Sequence, residues 1–253
     1  MAGVATALRE SALRESALRT TALSERVRPV ALAREQVLPV IAPLTSLLPQ
    51  GLIRGTTVVV DGTSGATSFA LALAAGASQE GSWIAAVGIP WLGLAAAAER
   101  GIALDRLAVI GAPERNDWAT VVAALVDAID VVLVAPPKGG MADARRLAAR
   151  ARERGAVLVA LRTSGALTVD LRCTVTDAQW SGVGHGSGHL TARRVTVSAT
   201  GRGSAARVRT TSLWLPGPDG TMSVCDEMDE CAEVTPVVHP QVVHSHVVHA
   251  QAG

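Results

Sequence analysis

The sequence has no tyrosine, one phenylalanine and one lysine, Lys138, among its 253 residues. Platforms on which single-stranded bases could stack are therefore confined to five tryptophans, which disfavours nucleic-acid binding through serial aromatic stacking. Three cysteines, Cys173, Cys225 and Cys231, are an odd number without framework spacing, the pattern of a reducing cytoplasm. No apolar run approaches the roughly 20 residues that a membrane-spanning helix needs, so no membrane partner is expected. The N-terminus carries no apolar stretch behind a basic start, so no secretory signal is expected either. The end of the chain lacks cations altogether: every Lys and Arg lies at or before Arg209. Residues 1–215 consequently carry +7 and the last 38 residues carry −6, although the whole chain nets +1. With 22 of the 23 cations being Arg, the bias is the one a GC-rich genome produces.

What is present is apolar and small. Ala, Val and Leu dominate a chain that is 49% hydrophobic, which suits a buried sheet under small-residue helices. Short Val/Ile-rich runs at Thr56–Asp61, Ser82–Val87, Arg106–Ile110, Val131–Ala135 and Ala156–Leu161 read as strands buried on both faces. Helical patterns at Thr67–Ala77, Leu92–Arg100, Trp118–Ala128 and Ala142–Arg154 alternate with them. Asn116 or Asp117 is placed to cap the third helix, and Gly101 and Gly155 fall at helix C-termini. This order predicts an α/β fold with a mostly parallel sheet flanked by helices. Beyond Leu161 the helices stop. Asp170–Thr176, Leu190–Ala199 and Arg207–Leu215 alternate polar and apolar residues and predict antiparallel strands added at the C-terminal edge.

Three segments follow from this. Residues 1–35 form an N-terminal helical or flexible segment in which Leu recurs every fifth position from Leu8 to Leu23, a spacing that spirals around a helix and builds no single apolar face. Residues 36–215 form the core. Residues 216–253 form an acidic and His-rich tail without sustained period, expected to be disordered alone.

The stretch from Val58 to Asp61 leads into Gly62-Thr63-Ser64-Gly65-Ala66-Thr67-Ser68 and then an Ala/Leu-rich helix. That is the strand–loop–helix context of a phosphate-binding loop. Such a loop requires a Lys directly after its last Gly, and Ala66 stands there. Counted from the other end, Gly62 to Gly65 is two residues too short to wrap a triphosphate in backbone N–H groups. Gly62, Gly65, Ala66 and Thr67 are therefore expected to form a degenerate nucleotide-binding loop with no catalytic residue, cofactor or metal. The two glycines then serve a tight turn, and Asp61 is a turn residue.

The order of elements resembles the RecA recombinase core from about Leu47 to Leu215. Leu48-Pro-Gln-Gly51-Leu-Ile-Arg54-Gly55 is similar to the lead-in to its phosphate-loop strand. Arg100-Gly-Ile-Ala-Leu-Asp105-Arg-Leu107 and Val121–Val134 are similar to the following segments, and Gly186–Val195 to the glycine loop near its DNA-binding loop. The resemblance implies a Lys and a Thr that hold phosphates and Mg²⁺, a Glu that activates water, and an Asp at the end of a later strand. Only Thr67 is retained; Val87–Trp91 offers no acid, and Val131–Val134 runs into Ala135-Pro136-Pro137. A RecA-like core without ATPase residues, with Arg-rich C-terminal strands and a long tail, resembles the ImuA/ImuA-prime group, actinobacterial branch, related to SulA. That resemblance implies a cytoplasmic, non-enzymatic adaptor of the DNA damage (SOS) response. It would bind the polymerase-like protein ImuB, a Y-family polymerase homologue, in mutagenic translesion synthesis, joining the nucleoid on damage. RecA or DNA are further partners to consider. A SulA-like division inhibitor and a divergent RecA-like ATPase or DNA-binding protein are the alternatives.

Other residues invite two readings each. Trp180, Arg193, Arg194, Arg207 and Arg209 flank the glycine loop and last strands, as a partner or DNA contact or a solvated basic edge. Arg145, Arg146, Arg150, Arg152 and Arg154 lie on one helix, either solvated or binding an acidic partner. Trp83, Trp91, Trp118 and Trp214 suit packing, with Trp91 placed to fill the vacated cleft. His185 and His189 lack an evident third ligand. Cys225, Cys231, His239, His244, His246 and His249 could be zinc ligands, but their gaps match no known site.

Overall fold

A computed structural model describes residues 36–62, 64–137, 143–161, 169–183, 188–202 and 206–225. The first is a small two-stranded antiparallel sheet, β1 (Val37–Leu38) and β2 (Leu52–Ile53). The turn between them buries Leu44, Leu47 and Leu48. There follow β3 (Thr57–Asp61), α1 (Ala66–Gln79), β4 (Ile84–Val87), α2 (Leu94–Glu99), β5 (Leu107–Ile110) and α3 (Trp118–Val126). After these come β6 (Val131–Val134), α4 (Ala144–Arg154), β7 (Val157–Leu161), β8 (Leu171–Val183), β9 (Gly188–Gly201), β10 (Arg209–Trp214) and β11 (Ser223–Val224).

Among the described residues the main sheet has nine strands in the order β11-β10-β9-β8-β3-β7-β6-β4-β5. Strands β3 to β8 run parallel, and β8 to β11 are antiparallel neighbours. The expected α/β fold, a mostly parallel sheet with helices and antiparallel strands at its C-terminal edge, is observed. Alternation along each strand divides the core. Val58, Val60, Ile84, Leu133, Val157 and Val159 face α1 and the β1–β2 segment. Val59, Ala85, Val87, Val132, Leu158 and Ala160 face α3 and α4 with Trp118, Val122 and Leu147. Helix α1 is buried from Phe69 to Ser78, the signature of a helix enclosed on all sides.

Several local expectations are corrected. β5 is the sheet's outer strand and is not buried on both faces, since Val109 is 51% exposed. Asp117 stands at the N-cap of α3 with helical backbone angles and makes no side-chain cap hydrogen bond; the backbone N–H of Trp118 instead bonds Glu114 O. Gly155 does cap α4 in the left-handed conformation, with φ 71°. The outer antiparallel strands are longer than the alternation suggested. Register shifts between Thr176 and Gln179 and between Ser181 and Val183 break the pattern while pairing continues. The sheet also runs past residue 215, since β11 pairs with β10. The leucine repeat of residues 8–23 and the chain beyond Cys225 lie outside the described residues. Among the described residues no helix is long and apolar enough to cross a membrane.

Gly76 marks the tightest contact on α1. A Cβ there would lie 2.6 Å from Pro39 O and 2.7 Å from Val40 C. Helix propensity favours Ala over Gly by about 1 kcal/mol, but the neighbours are backbone and cannot yield. Overpacking outweighs propensity, so Gly76→Ala is expected to destabilise the fold by about 1–3 kcal/mol, read from the urea midpoint. A midpoint that rises would show that the β1–β2 segment moves freely off the helix.

Candidate functional site

The loop between β3 and α1 is shaped by its neighbours on β8. Gly62 has φ 138°, and a Cβ there would meet Val175 O at 2.6 Å. Gly65, at φ 92°, is the left-handed N-cap of α1, and no side chain caps that end. Close approach at one glycine and backbone hand at the other account for both residues. Asp61 is not a turn residue: it ends β3 and is ion-paired with Arg172 of β8. The pairing follows from register, because β3 and β8 run parallel with Val59 beside Arg172.

Ala66, at the position where a phosphate loop carries its Lys, is a buried methyl. Thr67 Oγ1 accepts a hydrogen bond from Trp91 Nε1 at 3.1 Å. Trp91 is nevertheless 45% exposed and does not line the cleft, so the expectation that it fills the vacated space is corrected. A cleft of about 270 Å³ is bounded by Gly62, Ser64–Ser68 and Arg193.

Arg193 is the cation that the loop itself lacks, delivered from β9. The residue is buried, 7% exposed. Nε donates to Leu215 O at 2.8 Å, Nη2 donates to Ser68 Oγ at 2.9 Å, and Cζ lies 4.8 Å from the centroid of Trp180. Burial, and secondarily the charge of Arg100, push its pKa below the ordinary arginine range. No carboxylate among the described residues pairs with it. An arginine whose Cζ would lie 3.5 Å from a Cβ added at Gly65, clamped to the first turn of α1, fixes the loop from inside the protein. A free phosphate-loop lysine, by contrast, moves with its ligand.

Arg100, at the C-cap of α2, is the second buried cation and was missed in the sequence. It donates to Gly220 O at 3.4 Å, its Nη1 has no partner among the described residues, and burial lowers its pKa. An Arg at a helix C-terminus ordinarily reads as a solvated charge complementing the helix dipole, so only the returning 216–222 turn reveals its burial.

The structure therefore gathers Gly62, Gly65, Ala66, Thr67, Arg193 and Trp180 at one end of the sheet. It separates Arg194, Arg207 and Arg209 from them. Arg194 neighbours Arg193 on β9 and so projects to the opposite face. Arg209 opens β10, whose far end pairs next to Arg193, roughly 17 Å along the strand. Four of the five arginines of α4 meet carboxylates: Arg150 and Arg154 both bond Asp127, Arg146 pairs with Asp143, and Arg152 lies 3.7 Å from Asp170. The Arg150 hydrogen bond holds the exposed Asp127 carboxyl below its ordinary range. Trp118 is core, whereas Trp83 is exposed. His189 is exposed; His185, Cys231 and the tail histidines lie outside the described residues. Among the described residues no three His, Cys, Asp or Glu side chains are grouped as metal ligands.

A family model described as the MT3502 N-terminal domain matches residues 46–166. That span holds the loop and the parallel strands β3 to β7 and ends before β8. The chain is also similar to the uncharacterized protein Rv3395c of Mycobacterium tuberculosis (strain ATCC 25618 / H37Rv). The two are 36% identical over 160 residues, covering 62% of this chain and 70% of that protein.

Arg193→Ala would orphan Leu215 O, strip a bond from Ser68 and open a void beside Trp180. It is expected to lower stability by about 2–4 kcal/mol and to change Trp180 fluorescence, with urea unfolding as the measure. Arg193→Lys restores little, because one ammonium cannot reproduce a planar fork that bonds two partners while stacked; full stability in the Lys variant would refute the clamp. A second outcome concerns Cys173 on β8, whose thiol burial pushes up to about 12. The folded thiol stays neutral while the unfolded one ionises near pH 9. Its contribution is therefore complete below about pH 9 and erodes as pH rises towards 12. Comparing the wild type with Cys173→Ala across that window isolates the slope.

Proposed function

This chain belongs to the MT3502 family, and we propose that it is a non-catalytic adaptor of bacterial mutagenic translesion DNA synthesis, of the ImuA/ImuA-prime type. In this reading it works in the cytoplasm, at the nucleoid after DNA damage, and holds an ImuB-like Y-family polymerase homologue. The observation that carries the reading is the state of the phosphate loop. Ala66 is buried where a Lys would meet the β/γ-phosphates, Thr67 holds Trp91, and the nearest cation, Arg193, is already committed to Ser68 and Leu215. Phosphoryl transfer depends on preorganised charge aimed at the transferring group, and each of these side chains is aimed elsewhere.

The same architecture supplies a docking feature. β8 pairs with β3 only as far as Thr174 and β9 with β10 only from Arg194, so the β8–β9 hairpin extends beyond the sheet. Val183 and Leu190 on this arm are 45% and 48% exposed. Exposed apolar side chains on both strands of a protruding hairpin, above half-buried Trp180 stacked on buried Arg193, suit a protein partner.

The adaptor reading makes two measurements decisive. Val183→Glu with Leu190→Glu is expected to weaken capture of the ImuB-like protein at least about tenfold, the equivalent of 1.4 kcal/mol, in pull-down and titration. Removing residues 226–253 is expected to weaken capture further while leaving the core folded. If both variants capture the partner as well as the full chain, the hairpin and tail are not the interface. Calorimetry with Mg-ATP should give no heat of binding. Micromolar binding with turnover would end the adaptor reading in favour of a divergent ATPase.

A further inference from the structure

β11 covers only one end of β10. Leu213 pairs with Val224 and Trp214 with Ser223, and the N–H of Cys225 bonds Ser212 O at 2.9 Å. The chain is thus still running antiparallel along β10 at its last described residue. Upstream of this, Arg209, Thr210 and Thr211 pair with β9 on one side only. Among the described residues their other side is an open strand edge, and Val208 beside it is 61% exposed. An uncovered edge presents backbone donors and acceptors to any passing strand.

This edge is also basic. Arg209 lies on it with Arg207 two residues before, and Arg202 joins Arg209 in lining a cavity of about 210 Å³ that also includes Leu48, Pro49, Leu52, Ile53 and Asp170, the last accepting the Thr57 N–H. The residues that follow Cys225 in the sequence are Asp226-Glu227-Met228-Asp229-Glu230. They carry four carboxylates and no cation.

We propose that Asp226–Glu230 complete the open edge in cis, prolonging β11 along β10 in the register that Leu213–Val224 already fixes. That register sets Asp226 opposite Thr211, Met228 opposite Arg209 and Glu230 opposite Arg207. Directly opposed and diagonal residues share a face, so Arg209 lies between two carboxylates, with an apolar side chain opposite it next to that cavity. A slip of one residue would turn the whole set to the other face. The acidic strand neutralises the edge and closes it to other strands. The proposal rests on register and charge and does not depend on the adaptor reading.

The Cys225–Ser212 bond fixes which backbone groups face outwards: the N–H groups of Ser212, Thr210 and Val208 point to the edge, and those of Thr211 and Arg209 point to β9. Amide hydrogen exchange on the full chain and on a chain ending at Cys225 reads the difference. Thr210 is expected to exchange at least about tenfold more slowly in the full chain, with Thr211 unchanged between the two. High salt should narrow the gap, because exposed charge pairs are screened.

The partner is identified by cross-linking. Arg209→Cys with Met228→Cys, in a background carrying Cys225→Ser and Cys231→Ser, places two thiols at a non-hydrogen-bonded pair about 4.5 Å apart between Cα atoms. That distance accepts a disulfide. A disulfide within one chain supports the proposal, while a covalent dimer overturns it by showing a second copy at the edge. Equal exchange of Thr210 in the two native-sequence chains also overturns it, whether or not the cysteine variant folds.

Discussion

A single buried guanidinium joins the two halves of this fold. Arg193 belongs to the antiparallel half, yet it bonds Ser68 in the first turn of α1, the helix around which the parallel half is packed. It also bonds Leu215, where the chain leaves β10, and stacks on Trp180 of β8. A cation near a helix N-terminus faces the positive end of the dipole and has been stripped of water. Two hydrogen bonds and a cation–π contact, worth more when desolvated, offset those penalties. The loop between Gly62 and Ala66 consequently owes its shape to a strand more than a hundred residues away. The family match to residues 46–166 does not include that strand.

The loop's glycines and its clamp are two expressions of one packing problem. Gly62 lies against the backbone of Val175, and Gly65 lies against Val175, Val195 and Arg193. In a nucleotide-binding loop, glycines keep backbone N–H groups open towards phosphate. Here the same freedom lets β8 and β9 close on the loop from the side. Two of the loop's polar side chains, Thr67 and Ser68, are bonded to Trp91 and Arg193. The motif's outline persists in the sequence while Thr67 and Ser68 are engaged by internal structure.

Much of the parallel half was legible. Each expected strand from β3 to β7 and each expected helix from α1 to α4 has an observed counterpart, because continuous Val/Ile runs and Ala/Leu helical patterns are local signals. Gly155 was readable as a C-cap for the same reason. What escaped reading depends on partners distant in sequence. Asp61 looked like a turn residue because nothing nearby announces Arg172, and the burial of Arg100 went unread because the turn that covers it arrives 120 residues later. Asp117 had the right chemistry for a cap, but its own backbone is helical, whereas a capping side chain needs the extended backbone of a true cap position. The hairpin of β8 and β9 was underestimated because Gly182 and the register shifts interrupt alternation without interrupting pairing. For the candidate site, sequence located the loop residues and Trp180 and Arg193. It did not reveal that Arg193 faces the loop whereas Arg209 lies at the other end of β10.

The charge segregation along the chain has a matching arrangement in space. Within the core, most arginines of α4 meet carboxylates, and Arg54 meets Asp130 at 2.8 Å. These are exposed or half-exposed pairs of modest individual worth, and their main effect is to leave that helical face electrostatically quiet. Arg193 and Arg100 have no such carboxylate among the described residues and are sequestered inside. Among the described residues Arg194, Arg202, Arg207 and Arg209, on and beside the outer antiparallel strands, are not ion-paired with a carboxylate, and they lie near the point where the acid-rich end of the sequence begins. Long-range attraction between oppositely charged segments acts before specific contacts form, whereas strand register selects which residues finally meet. A tail whose first residues already follow β10 satisfies both conditions. Neither charge nor register requires nucleotide, so the strand edge and the phosphate loop are independent features of the scaffold.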